Sequence, residues 1–225
     1  MFLTRNILVR IFLVMTNLLH IDSSIQGDRS HSRALTAAFV ESWKVANPDG
    51  GYVYRDFAQA PVPHVTGLYF AAANTPAELR GPEMRAEYDR FKPLRDEVLA
   101  ADVVLMGVPM YNYTVPSTIK SWLDHLLVPE FRADTSDGPL IGTRFLVVAT
   151  QGGSYAPGTP REGWDHQQPL LRQYFEHLGV AGDATFVQAE MTLANVNEQL
   201  RQFQHIADES KERAFKAVQE LATVS

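Results

Sequence analysis

Cysteine is absent from the 225 residues, so disulfides, thiolate-bound zinc, iron–sulfur clusters and thiol nucleophiles are excluded together. A basic excess is missing too. The net charge is −6 and no Lys/Arg-rich run occurs, which argues against nucleic acid as a partner. Long apolar runs are also lacking. The stretch Ile11–Met15 is far too short to cross a bilayer, and no small-residue cleavage site follows it. No membrane insertion and a cytoplasmic location are therefore expected. Residues 1–14 are expected to be a non-native or wrongly included extension, with the natural start at Met15 and a single domain over 15–225.

Metal and nucleotide motifs are missing as well. The seven histidines (His20, His31, His64, His125, His166, His177, His205) form no i, i+3 or i, i+4 pair, so no metal site is expected. Neither G-x-x-x-x-G-K-[ST] nor G-x-G-x-x-G occurs, which disfavours a P-loop or a dinucleotide Rossmann site. Gly152-Gly153-Ser154-Tyr155-Ala156 imitates a nucleophile elbow but lacks its final glycine. Pro157, Gly158 and Pro160 then forbid the helix that must follow such an elbow.

What is present is a 45% apolar, 20% charged chain, ordinary for a globular domain. Short β-type runs alternate with segments of helical period. Strands are expected at Asn17–Asp22, Gly51–Asp56 (half-buried), Ala101–Val108, Arg144–Thr150 and Asp183–Glu190. Helices are expected at Ser30–Ala46, Glu83–Ala100, Pro116–Leu126, Gly163–Leu178 and Asn195–Ala222, with a long irregular excursion over the Pro-rich Pro61–Pro82. Five strands separated by helices imply an α/β fold, a parallel sheet covered on both faces.

In such a sheet ligands bind beyond the carboxyl ends of the strands, where strand order reverses. Three loops there stand out. After the first strand, Ser23 to Ser32 brings small hydroxyl residues and Gly27 to a helix N-terminus. This suits either a phosphate cradle or an ordinary N-cap at Ser30 or Ser32. After the third strand, Met110, Tyr111, Asn112 and Tyr113 suit a flat heteroaromatic ring, or simply pack under the next helix. After the fourth, Thr150, Gln151, Gly152 and Gly153 let backbone approach a ligand closely, or make a plain turn, with Tyr155 at the rim.

HIDSSIQGDRSHS, PMYNYTVPSTIKSWLD and VVATQGG together resemble the FMN-dependent NADH-azoreductase / NADH:quinone oxidoreductase family of the flavodoxin-like superfamily, over a span from Asn17 to the C-terminus. The resemblance implies a flavodoxin-like sheet of order 2-1-3-4-5. It implies that Ser24, Ser30, His31 and Ser32 hold the FMN phosphate. Met110, Tyr111, Asn112 and Tyr113 would lie along the isoalloxazine, with Thr150, Gln151, Gly152 and Gly153 on its far side. Two segments depart from the family, which often has Phe at Tyr113 and Ser-Arg at Thr150-Gln151; neither change removes a backbone donor.

The implied chemistry is a two-step exchange. NAD(P)H delivers hydride to the flavin, then a quinone or azo compound takes its place and accepts the electrons. Asn112 and Tyr155 are the candidate catalytic groups, stabilising reduced flavin or donating to the acceptor. A homodimer is implied by the resemblance alone. The alternative function is an FMN-binding electron carrier or redox-sensing regulatory subunit without small-molecule turnover.

Overall fold

The computed structural model describes residues 16–131 and 138–223; the expectation for residues 1–14 lies outside them. Five strands, β1 (Asn17–Asp22), β2 (Gly51–Asp56), β3 (Val103–Pro109), β4 (Arg144–Thr150) and β5 (Ala184–Ala189), form one parallel sheet. Their order is β2-β1-β3-β4-β5, as the resemblance implies. Parallel neighbours need long crossovers, and helices supply them: α1 (His31–Ala46), α2 (Gly67–Ala73), α3 (Pro82–Arg90), α4 (Lys92–Leu99), α5 (Ser117–Leu126), α6 (Gln167–His177) and α7 (Gln204–Ala222).

Strand β3 is apolar throughout and β4 is apolar between its ends, because both faces of the sheet are covered, and successive side chains part to opposite sides. Val103 and Leu105 of β3, with Leu146 and Val148 of β4, pack with Leu35, Phe39 and Trp43 of α1 and Ala214 and Val218 of α7. Val104, Met106, Val108, Phe145 and Val147 face the opposite way, onto Tyr69, Val98, Ile119, Trp122, Leu171 and Phe175. Each large side chain buried in this way contributes about 1.5–3 kcal/mol.

Several expectations change in detail. The excursion is not irregular throughout. After Pro61 and Pro63, Thr66 accepts a hydrogen bond from the Tyr69 N–H at 3.0 Å and starts α2, which buries Tyr69 and Ala72. The expected helix over 83–100 breaks at Phe91 into α3 and α4. Pro93, two residues later, has no N–H to donate to the preceding turn, while Phe91 itself fills the core. Helix α6 starts at Gln167, not Gly163, because the Asp165 carboxylate accepts from the N–H groups of Gln167 (2.8 Å) and Gln168 (3.2 Å). Strand β2 is an edge whose middle residues are exposed on both faces, so it does not alternate.

Behind α5, His125 is wholly enclosed. Its Nε2 lies 2.9 Å from the Pro63 carbonyl, and its ring stacks on Phe91 with centroids 3.8 Å apart. Nδ1 has no partner. Burial pushes the His125 pKa down; the Pro63 contact opposes this and the Arg95 charge adds to it. The unfolded chain protonates near the ordinary value of about 6.5, whereas the folded ring resists. The melting temperature should therefore be flat above about pH 7 and fall toward about pH 5. A His125→Gln variant should flatten that fall in part, since half-buried His31 is depressed in the same direction. An unchanged acid slope in that variant would remove His125 from the account.

The progression of strand order reverses at β1: β2 lies on one side of it and β3 on the other. The carboxyl ends of β1, β3 and β4 therefore open onto one crevice.

Candidate functional site

At the end of β1 the Ser23 hydroxyl donates to the Gly107 carbonyl (2.8 Å), tying the loop to β3. The Ser24 carbonyl accepts from both Nε (3.2 Å) and an Nη (2.8 Å) of Arg33, whose guanidinium also donates to Asp56 at 2.7 Å. Burial alone would raise the Asp56 pKa. The Arg33 contact and the N–H groups of Ala58 and Gln59 outweigh it, so this carboxylate stays below its usual range. Burial and the nearby Asp22 push the Tyr54 phenol up to about 12. Arg33 is thus spent on holding the loop.

The loop delivers Ser30 as the N-cap of α1. Its hydroxyl accepts from the Arg33 N–H at 3.3 Å and sits 3.1 Å from the Ser32 hydroxyl. The N–H groups of His31 and Ser32 belong to the first helical turn, where no carbonyl precedes them as a partner. No acidic residue stands in that turn. The His31 side chain, with Leu35, Lys211 and Phe215, lines a slot of about 10 Å³ between α1 and α7. Burial, then the Lys211 charge, lowers its pKa. Hydroxyls, open amides, the positive end of a 16-residue helix and a nearby cation make up a donor set for an anion such as a phosphate monoester.

After β3 the chain makes a tight turn. Tyr111 N–H donates to Thr114 O at 2.9 Å and Thr114 N–H to Tyr111 O at 3.1 Å. The two central residues have positive φ, 48° at Asn112 and 71° at Tyr113, the signature of a type I′ turn. Asn tolerates this region; an aromatic residue there is strained. The Tyr111 hydroxyl accepts from the Ile25 N–H at 3.1 Å and lies 3.4 Å from the Ser24 hydroxyl. It thereby locks the β3 loop to the β1 loop.

After β4, Gln151 is fully enclosed. Its N–H donates to Ala189 O and its carbonyl accepts from Thr192. Its amide nitrogen donates to Asp165 (3.0 Å) and Gln167 (3.3 Å), and its amide oxygen accepts from Gln188 (2.6 Å). With every polar group engaged inside the protein, Gln151 holds the loop in shape. Thr150 is likewise buried, its carbonyl accepting from the Met110 N–H at 2.7 Å. Gly152 and Gly153 give their carbonyls to Leu193 and Met191. A Cβ on Gly152 would come within 2.7 Å of the Leu193 side chain, which would have to shift to make room.

Between the loops after β3 and β4 and the chain that follows β5 lies a cleft of about 690 Å³. Met110, Asn112 and Tyr113 border it, as do Gly152, Gly153 and Tyr155. Tyr113 packs edge-on against Trp164 (centroids 5.3 Å) and Tyr155 (6.3 Å). The remaining wall includes Met191, Leu193, Leu200, Phe203 and Ile206, none of which the sequence reading assigned. That reading took 195–222 as one helix. The chain instead makes a 3₁₀ segment over Glu198–Phe203 before α7, which turns Phe203 and Ile206 toward the cleft. The cleft's size and its largely apolar, aromatic lining suit a flat heteroaromatic ring. Together with the anion donors at α1, the residues fit FMN.

The model of a family described as having a flavodoxin-like fold matches residues 16–214. The chain is 43% identical over 199 residues to an FMN-dependent NADH:quinone oxidoreductase of Frankia alni, covering 88% of this chain and 94% of that one. It is 43% identical over 212 residues to another of that name from Frankia casuarinae, covering 93% and 100%. Among solved structures, an azoreductase from Bacillus anthracis superposes with a TM-score of 0.76 at 22% identity, over 93% of this chain and 99% of that one. An FMN-dependent NADH-azoreductase from Bacillus anthracis, in complex with FMN, gives 0.74 at 22% identity over 93% and 98%. These two likenesses speak for the fold.

Proposed function

The chain belongs to the flavodoxin-like fold family, and from that premise we propose that it is an FMN-dependent NAD(P)H oxidoreductase reducing quinones and azo compounds. The observation that carries this reading is the placement, beyond the carboxyl ends of the neighbouring strands β1, β3 and β4, of a helix end with open amides and an aromatic-lined cleft. When bound, FMN supplies the acceptance and release of a hydride equivalent. The protein's part is to hold, orient and shield.

Ser24, Ser30 and Ser32, with the His31 and Ser32 amides, hold the phosphate end. Met110, Tyr111, Asn112 and Tyr113 border one side of the ring and Gly152 and Gly153 the other, on a frame kept rigid by Thr150 and Gln151. Asn112 and Tyr155 donate to the charge that develops on the ring or on the acceptor. Leu193, Leu200, Phe203 and Ile206 exclude water, which strengthens those interactions. No helix among the described residues is long and apolar enough to cross a membrane, and the reading places the protein in the cytoplasm. It also makes the working unit a homodimer.

The test is spectroscopic. The purified protein should be yellow, release FMN on denaturation, bleach with NADH under anaerobic conditions and regain its colour with benzoquinone. Bleaching without rapid recovery would favour an electron carrier, and a protein unable to take up FMN would overturn the assignment.

A further inference from the structure

The residues that line the cleft carry one formal charge, that of Arg161, and no carboxylate. Arg161 sits on the turn-rich segment between β4 and α6, where the Trp164 N–H donates to its carbonyl at 3.1 Å. Its guanidinium carbon stands 6.0 Å from the Tyr113 ring centre. No ion pair or side-chain hydrogen bond ties it to the described residues, and it is exposed. The nearby acids are engaged elsewhere: Glu162 accepts from the Gly158 N–H at 2.8 Å, Asp165 caps α6, and Glu190 accepts from the Ser154 hydroxyl at 3.1 Å. Other arginines of the fold are committed, Arg33 to Asp56 and Arg95 to Tyr69 and Tyr88. A guanidinium left open at the mouth of an apolar cleft, beside an aromatic ring, differs from both.

We propose that Arg161 is a specificity residue for acceptors that are flat aromatics bearing an anionic substituent, a carboxylate or sulfonate. This rests on the oxidoreductase reading of the cleft. The ring of such an acceptor packs among Tyr113, Tyr155 and the apolar wall, while its anionic group reaches the guanidinium fork, which matches a two-oxygen anion with two parallel N–H donors. No carboxylate lines the cleft to repel that group. Lysine would keep the charge and lose the fork.

The experiment compares flavin-loaded wild type, Arg161→Gln and Arg161→Lys with 1,4-naphthoquinone and 1,4-naphthoquinone-2-sulfonate. The kcat/KM ratio of sulfonate over neutral quinone should fall about tenfold in Arg161→Gln, the loss of one charge-assisted contact, and less in Arg161→Lys. The KM for NADH should hold steady. Binding of naphthalene-2-sulfonate to the same holoproteins, measured by calorimetry, should weaken about tenfold as well. An unchanged ratio with unchanged binding overturns the proposal, as does a rise in the NADH KM in place of the sulfonate effect, which would make Arg161 a reader of the donor's phosphates. If wild type turns over neither quinone, the oxidoreductase reading fails, and the calorimetric comparison still decides whether Arg161 receives the anion.

Discussion

Asn112→Val should strip the protein of most of its flavin, with FMN binding weakened at least tenfold, whereas Asn112→Gly should bind FMN within a few-fold of wild type. The backbone at 112 has φ 48° and is followed by Tyr113 at 71°, and the hydrogen bonds between Tyr111 and Thr114 close the turn around them. A β-branched side chain is a genuine outlier in that region, at a cost of about 1–3 kcal/mol. The turn relieves it by moving, and everything it carries moves too: the Tyr113 ring that borders the cleft, and Tyr111, whose hydroxyl braces the loop after β1. Glycine populates positive φ freely, so Asn112→Gly removes only the amide. Equilibrium titration of the flavin-free variants with FMN separates the two effects. Equal, large losses would assign the work to the amide itself. No loss in either would detach this turn from the flavin.

That prediction rests on backbone geometry no sequence pattern displays. Asn at 112 hints at a positive φ; Tyr at 113 gives no such hint, because the strain is tolerated only within the folded crevice. The strands were far more legible. Asn17–Asp22, Gly51–Asp56 and Arg144–Thr150 form as the short β-rich runs imply. Strand β3 and the interior of β4 are continuously apolar because both faces of the sheet are covered. Helix boundaries were harder, since Pro93 and the Asp165 cap act locally inside longer stretches of helical period. The loops after β3 and β4 could be picked out because glycines and polar aromatics are unusual at strand ends, and Met110, Asn112, Tyr113, Gly152 and Gly153 line the cleft. The opposite wall could not. Leu193, Leu200, Phe203 and Ile206 are ordinary apolar residues; the Leu193 N–H bond to the Gly152 carbonyl and the 3₁₀ turn capped by Asn197 at the Gln199 N–H, 3.0 Å away, bring them to the cleft. Arg161 was hidden for a related reason: its lack of an ion pair is a property of its neighbours in space.

Ser30→Asp should have the largest effect on cofactor affinity and leave the fold intact. Aspartate caps a helix about as well as serine, so the contact to the Arg33 N–H, 3.3 Å in the native protein, survives. A negative charge at the N-terminus of α1 adds about 0.3–1 kcal/mol of stability. The same charge stands where the phosphate would sit. At about 4 Å and an effective dielectric of about 20, each pair of like charges costs about 4 kcal/mol, enough to weaken FMN binding at least a hundredfold even after screening. Ser30→Ala behaves differently. It loses the cap, about 1 kcal/mol of stability, but only one hydroxyl donor from the cradle. The two measurements therefore rank the proteins in opposite orders. Flavin-free melting temperature should run Asp at or above Ser, with Ala lowest, while FMN affinity should run Ser, then Ala, with Asp last. A purely structural Ser30 would make affinity follow stability, and Ser30→Asp would then bind FMN as wild type does. Only an anion seated on α1 sets the charge of the cap against the charge of the ligand.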